Sequence, residues 1–296
     1  MRDAPKVLDD RLASEAAVEL RRVPVRHGTR LARGAGQWFR RNVAVLVVYG
    51  VLLVAWEVVG SLPSVPAFIL PSPTEILHRV ARDPGKLVFH SLVTLQEVLL
   101  GFLLAVLAGI PLGVLIVSSR FLERLLYPLL VALQAIPKVA LAPILVIWFG
   151  FGPTSKVTLA FVTATFPIVI NTVVGMAQTP PEMIHLMRSL GASGLQTFTK
   201  VRLIAAAPHI FGGFKIGITL AMVGAVVGEF IASNSGLGYF LLIANNAFDP
   251  PLLFGIVILL SLLSIALFYS IELLEMLVLP RPLRRRASSV RPGAGV

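Results

Sequence analysis

Long apolar stretches alternate with short polar ones along most of this 296-residue chain. About 20 apolar residues cross a bilayer core as a helix. Six stretches approach or exceed that length: 43–60, 91–117, 125–149, 156–177, 205–231 and 252–279. The pattern predicts an all-α polytopic bundle of about six transmembrane helices. A basic tail over 1–42 precedes the membrane domain of 43–279, and a second basic tail over 280–296 follows it. One stretch breaks the pattern. Residues 179–204, "TPPEMIHLMRSLGASGLQTFTKVRLI", are polar and interrupted by glycine.

Inside that stretch Met183, Leu186, Met187 and Leu190 recur at i, i+3, i+4 and i+7, which makes one apolar stripe on a helix. Glu182, His185, Arg188 and Ser189 lie off the stripe. Thr179, Pro180 and Glu182 read as a helix start, with Thr179 as the cap and Pro180 in the first turn. Gly191 reads as the left-handed residue that ends the helix. Ser193 and Gln196 have capping-box spacing and start a second short helix, anchored by Leu195 and Phe198. The result is a helix–glycine–helix elbow with one apolar face. Such an elbow suits a docking knob, and it also suits a hairpin lying flat on the bilayer.

Composition supports the membrane reading. Hydrophobic residues make up 56% of the chain and charged ones 14%, against about 25% charged in ordinary soluble domains. Mean hydropathy is +0.85. The absence of cysteine excludes disulfides, thiolate metal sites and a cysteine nucleophile. The net charge of +11 collects at the two ends and beside the apolar runs, so it does not indicate a nucleic-acid partner. Counted by alternate loops, 20 lysines and arginines fall on the side of the N-terminal tail and 4, including Lys156, on the other. Cytoplasmic loops carry the excess of such residues, so both termini and the elbow are expected in the cytoplasm. The tail has too long a basic region for a signal peptide, and reads as an anchor near anionic lipid.

Polar residues within the spans are the candidates for a translocation path, because a charged group at mid-membrane costs roughly 2.5–3.5 kcal/mol on insertion scales. They are Gln134, Lys138, Asn171 and Glu229. Glu229 fits a path role and a structural role alike. Lys215 reads as a residue snorkelling to the cytoplasmic surface, and Glu57 and Glu97 as structurally paired. Gly213, Gly217, Gly224 and Gly228 share one face of the fifth span, a packing surface for span three or for a second copy. Gly109 and Gly113 beside Pro111 form a weaker mark of the same kind. "SNSGLG" at 233–238 reads as a turn.

Several chemistries lack their signatures. There is no G-x-x-x-x-G-K-[ST] phosphate loop and no H-E-x-x-H, and the five histidines do not fall at metal-ligand spacing. The chain is therefore expected to hold no cofactor or metal and to have no catalytic residue. An ion-coupled secondary transporter is the main alternative, but no inverted repeat is visible. An intramembrane enzyme would need a catalytic pair, and no aspartate lies in any span.

The elbow resembles the cytoplasmic coupling loop of permease subunits of binding-protein-dependent ABC importers. Their pattern is roughly Glu-Ala-Ala, three residues, Gly, nine residues, Ile, one residue, Leu-Pro. Aligned on Gly191, those positions fall on His185, Leu186, Met187, Val201, Leu203 and Ile204, so the acid and the proline are replaced. "LPSPTEIL" (70–77), "PILVIWFGFGPTSK" (143–156), "FPIVINT" (166–172) and "GEFIASNSGLGYFL" (228–241) resemble the nitrate/sulfonate/taurine-type subfamily, which includes permeases for thiamine-precursor pyrimidines. The resemblance covers about 66–279. It implies a type I importer permease in the bacterial cell membrane that works as half of a pair, with a second copy of itself as the partner. It also implies an external binding protein that delivers solute and a separate ATP-binding subunit. That subunit would receive the elbow through Glu182, Met183, His185, Leu186, Met187, Arg188, Leu190, Gly191, Ser193 and Phe198.

Overall fold

The computed structural model describes residues 30–66 and 68–279. The expected anchor role of the N-terminal tail, up to residue 29, and the C-terminal tail from 280 lie outside them. The described residues form helices and turns only. The chain divides into two units, 1–59 and 60–296. In the first, α1 (Arg30–Gly60) carries the apolar run Val45–Gly60. Leu46, Val47, Val48, Val51, Leu52 and Val54 are all well exposed, as on a helix that is apolar all round and suited to lipid.

The second unit holds α2 (Pro73–Val80), α3 (Pro84–Ser118), α4 (Arg120–Gln134), a short 3-10 turn (Lys138–Leu141), α5 (Ala142–Phe149) and α6 (Pro153–Ala177). It continues with α7 (Pro181–Ser189), α8 (Gly194–Thr197), a π turn (Phe198–Arg202), α9 (Leu203–Ala232), α10 (Leu237–Asn246) and α11 (Pro250–Val278). Four helical stretches are long and apolar enough to cross a membrane: α3, α6, Gly194–Ala232 and α11. The bent pair α4 and Lys138–Phe149 makes a fifth if it counts as one span.

That pair corrects the straight third span expected over 125–149. The chain bends by 86° between Gln134 and Lys138. Pro137 is the cause, since the residue before a proline is pushed out of the helical region and proline itself has no N–H to donate.

The centre of the bundle is α6. It is the most buried of the crossing helices, with α3 against one side and α9 against another. Lipid tails are as apolar as leucine, so helices associate in a membrane mainly by close contact between small residues. On α3, a Cβ added to Gly101 would stand 2.5 Å from the Ala160 Cβ, and one on Gly113 would stand 2.7 Å from the Thr172 Cβ. On α9, the glycine face meets α6 at Asn171 and Pro167 (Gly213), Ile168 (Gly217), Thr163 and Ala160 (Gly224) and Lys156 (Gly228). This corrects the expectation that the face would meet span three or a second copy. Three threonines of α6 are satisfied within their own helix: Thr163, Thr165 and Thr172 donate to carbonyls one turn back.

Candidate functional site

The elbow joins one end of α6 to one end of α9. Helix α7 begins at Pro181 with Pro180 as its cap, and no side chain caps it. Thr179, expected as the cap, is buried instead. At the other end Gly191 has φ +74°. Its N–H donates to the Arg188 carbonyl, and the Ala192 N–H donates to the Met187 carbonyl, both at 3.0 Å. This crossed pair is a Schellman closure, which requires a left-handed residue where glycine stands. The expected capping box is present: the Gln196 N–H donates to Ser193 Oγ at 3.2 Å, and the Ser193 N–H to Gln196 Oε1 at 2.9 Å. The second helix, however, is not a separate short piece. It runs through the π turn into α9, making one helical stretch over Gly194–Ala232.

The apolar stripe of α7 is largely uncovered. Met183, Leu186 and Leu190 are exposed, Leu190 by 73%, and Met187 is half-buried. Glu182 and His185 are also exposed. Behind the stripe lies a cleft of about 250 Å3, lined by Ile184, Arg188, Ala192, Phe198 and Arg202 among others. Ile184 and Arg202, not among the elbow residues read from the sequence, line that cleft.

A second constellation sits at the end of the bundle remote from the elbow. Glu97 of α3, Lys156 of α6 and Glu229 of α9 are each under 5% exposed. Lys156 Nζ lies 2.7 Å from Glu97 Oε1 and donates to Ser233 Oγ at 2.8 Å. Glu229 accepts from Thr94 Oγ1 at 2.7 Å and from the Gly238 N–H at 2.6 Å. The Leu237 N–H donates to Thr94 Oγ1 and the Gly236 N–H to His90 Nδ1. Three successive backbone donors of the 233–238 turn are thus held by side chains of α3 and α9. Gly236 has φ +102°, and a Cβ there would collide with the Glu229 carboxyl group.

The structure refines the readings of three charged residues. Lys156, counted as a loop cation, is the buried partner of Glu97. Glu229 is enclosed and hydrogen-bonded inside the bundle. Lys215 does more than reach for the surface: its Nζ is 2.6 Å from Glu275 Oε2 and lies over the Phe268 ring. Of the remaining path candidates, Asn171 donates to the Pro167 carbonyl at 2.8 Å, Gln134 is exposed at the end of α4, and Lys138 is half-buried at the bend.

Closely packed long apolar helices around α6 define a polytopic helical membrane protein. Residues 101–283 match the family described as binding-protein-dependent transport system inner membrane component, and the chain belongs to that family. It is 43% identical to the riboflavin transport system permease protein of Chloroflexus aurantiacus, over 77% of this chain and 85% of that one. It is 38% identical to the formylaminopyrimidine transport permease protein of Halalkalibacterium halodurans, over 77% and 92%. Permeases named for aliphatic sulfonates, nitrate and taurine match at 32–34% identity, which places the chain with the nitrate/sulfonate/taurine-type permeases. Among solved structures, the MetNI methionine ABC transporter shares the fold at a TM-score of 0.57 and 19% identity, covering 64% of this chain and 94% of that one.

Proposed function

We propose that this chain is the path-forming subunit of an ATP-driven importer, and that the elbow is its contact with a separate ATP-binding subunit. The carrying observation is the exposed apolar face of Met183, Leu186 and Leu190 on a helix whose exit angle is set by the Gly191 closure. An apolar face rimmed by Glu182, His185 and Arg188 suits a protein cleft, since such patches mark contact sites. The elbow links α6 and α9, so a push on it reaches the two helices that form the core. Solute would arrive on an external binding protein and pass between this chain and a second copy of it. ATP would be held by the partner subunit and no cofactor by this chain. The relatives' names favour a small solute such as a heterocycle, a sulfonate, taurine or nitrate.

Tagged protein purified from its own cells should bring down an ATP-binding subunit, and uptake should stop when that subunit is disabled with the proton gradient intact. Uptake that survives loss of the subunit and collapses with an uncoupler would establish the ion-coupled alternative instead.

The orientation belongs to the same proposal: elbow and termini in the cytoplasm, the 233–238 turn outside. Ser193 and Asn234 are both exposed. In this cysteine-free chain, Asn234→Cys should react with an impermeant thiol reagent on intact cells, and Ser193→Cys only after lysis. The reverse pattern would invert the topology.

A further inference from the structure

Five lysines lie on the crossing segments, and three of them have carboxylate partners, Lys86 with Asp83, Lys156 with Glu97 and Lys215 with Glu275, while Lys200 is exposed in the elbow. Lys138 is different. Among the described residues no ion pair includes it. Its Nζ donates to the Gln134 carbonyl at 3.1 Å and stands 5.2 Å from the centre of the Phe166 ring. An ammonium group has three donors, so this arrangement leaves donor capacity for something else.

Its depth follows from Phe166. That residue is about 20 Å from the start of α6 and about 17 Å from its end, at 1.5 Å per residue, so the ammonium group lies near the middle of a crossing helix. A lysine at that depth is strongly disfavoured against lipid and belongs beside a counter-charge, a protein interior or a watery path. It also sits where α4 ends and the chain turns by 86°. Interrupted helices at mid-membrane are tolerated where they are buried in protein or line a water-filled cavity. Gln134, one turn earlier, is exposed on the same bend.

We propose that Lys138 lies on the translocation path at the membrane midplane, where its ammonium group offers hydrogen bonds to oxygen acceptors of the solute and repels cations. The proposal rests on the permease reading and adds a solute class to it: molecules that present carbonyl or anionic oxygens, and not cationic ones. The 86° bend ends α4 just before Lys138, and the Gln134 carbonyl together with the Phe166 face holds the ammonium group in place.

The test uses the assembled complex in membrane vesicles, with Gln134→Cys as the sole cysteine. Two methanethiosulfonate reagents serve as probes, one bearing a sulfonate and one a trimethylammonium group, each rate normalised to that with a free thiol. The sulfonate reagent should react faster by about tenfold, given the field of one charge a few ångströms away. Adding Lys138→Met should bring the ratio close to one, and Lys138→Arg should keep it. A ratio unchanged by Lys138→Met, or a cysteine at 134 that neither reagent reaches, would overturn the proposal. A second copy's carboxylate seated on Lys138 would give the same overturning result, since it would cancel the field. Co-purification of an ATP-binding subunit is scored separately. Its loss with charge selectivity retained would count against the importer reading and leave the site in place.

Discussion

A Lys156→Met variant should lose most of its folded stability. Lys156 is the only cation paired with Glu97 among the described residues, and both groups are under 5% exposed. Removing one member of a buried pair leaves the other charge without compensation, which typically costs about 3–5 kcal/mol. The same change takes away the donor to Ser233 and loosens the turn over 233–238. The double variant Glu97→Gln, Lys156→Met should recover much of the loss, because exchanging a whole buried pair for neutral groups is often close to neutral. Thermal unfolding of the purified protein in detergent, with membrane abundance, measures both. A single variant as stable as the parent would show that the cluster is not closed in the membrane. So would a double variant worse than the sum of its parts.

Gly191→Val should separate folding from transport. A Cβ at this position meets nothing within 4 Å, so the substitution has space. What it lacks is a comfortable backbone. The left-handed region costs an ordinary residue about 1–2 kcal/mol and suits β-branched side chains least. The elbow would reopen at Gly191 and turn the Met183, Leu186 and Leu190 face out of register. Abundance should be nearly unchanged, while uptake and solute-stimulated ATP hydrolysis by the assembled complex should fall by roughly tenfold, the factor that corresponds to about 1.4 kcal/mol. Gly191→Asn should be mild, since asparagine enters this region most readily after glycine. His185→Ala should also be milder than Gly191→Val, because His185 is exposed and takes no part in the Gly191 closure. Normal coupled transport in Gly191→Val would refute the docking role of the elbow.

Both experiments probe features of different legibility. The Gly191 closure and the Ser193–Gln196 box are visible in the sequence because their bonds span three to five residues. The same holds for the crossing helices, whose ends fall within a few residues of the apolar limits for α6 and α11. The elbow's second helix was harder to delimit. Nothing local stops it, so Gly194–Thr197 continues through the π turn into α9, and the apparent boundary near residue 204 is only a change in polarity. The bend at Pro137 also had a local signal in "AIPK", but uninterrupted apolarity over 125–149 masked it.

Hydropathy and capping are properties of neighbouring residues, so the all-helical membrane character, the place of the elbow and the residues that close it are legible along the chain. Which polar side chains meet depends instead on how distant helices pack. Thr94 and Glu229 are 135 residues apart, Lys156 and Ser233 77 apart, and no periodicity relates such positions. The tertiary structure also decided that the glycines of α3 and α9 both face α6, because a helix's small-residue face specifies close approach without specifying the neighbour. Lys138 shows the same division. Its place in an apolar run is legible, but the absence of a carboxylate partner among the described residues depends on where every other helix comes to rest.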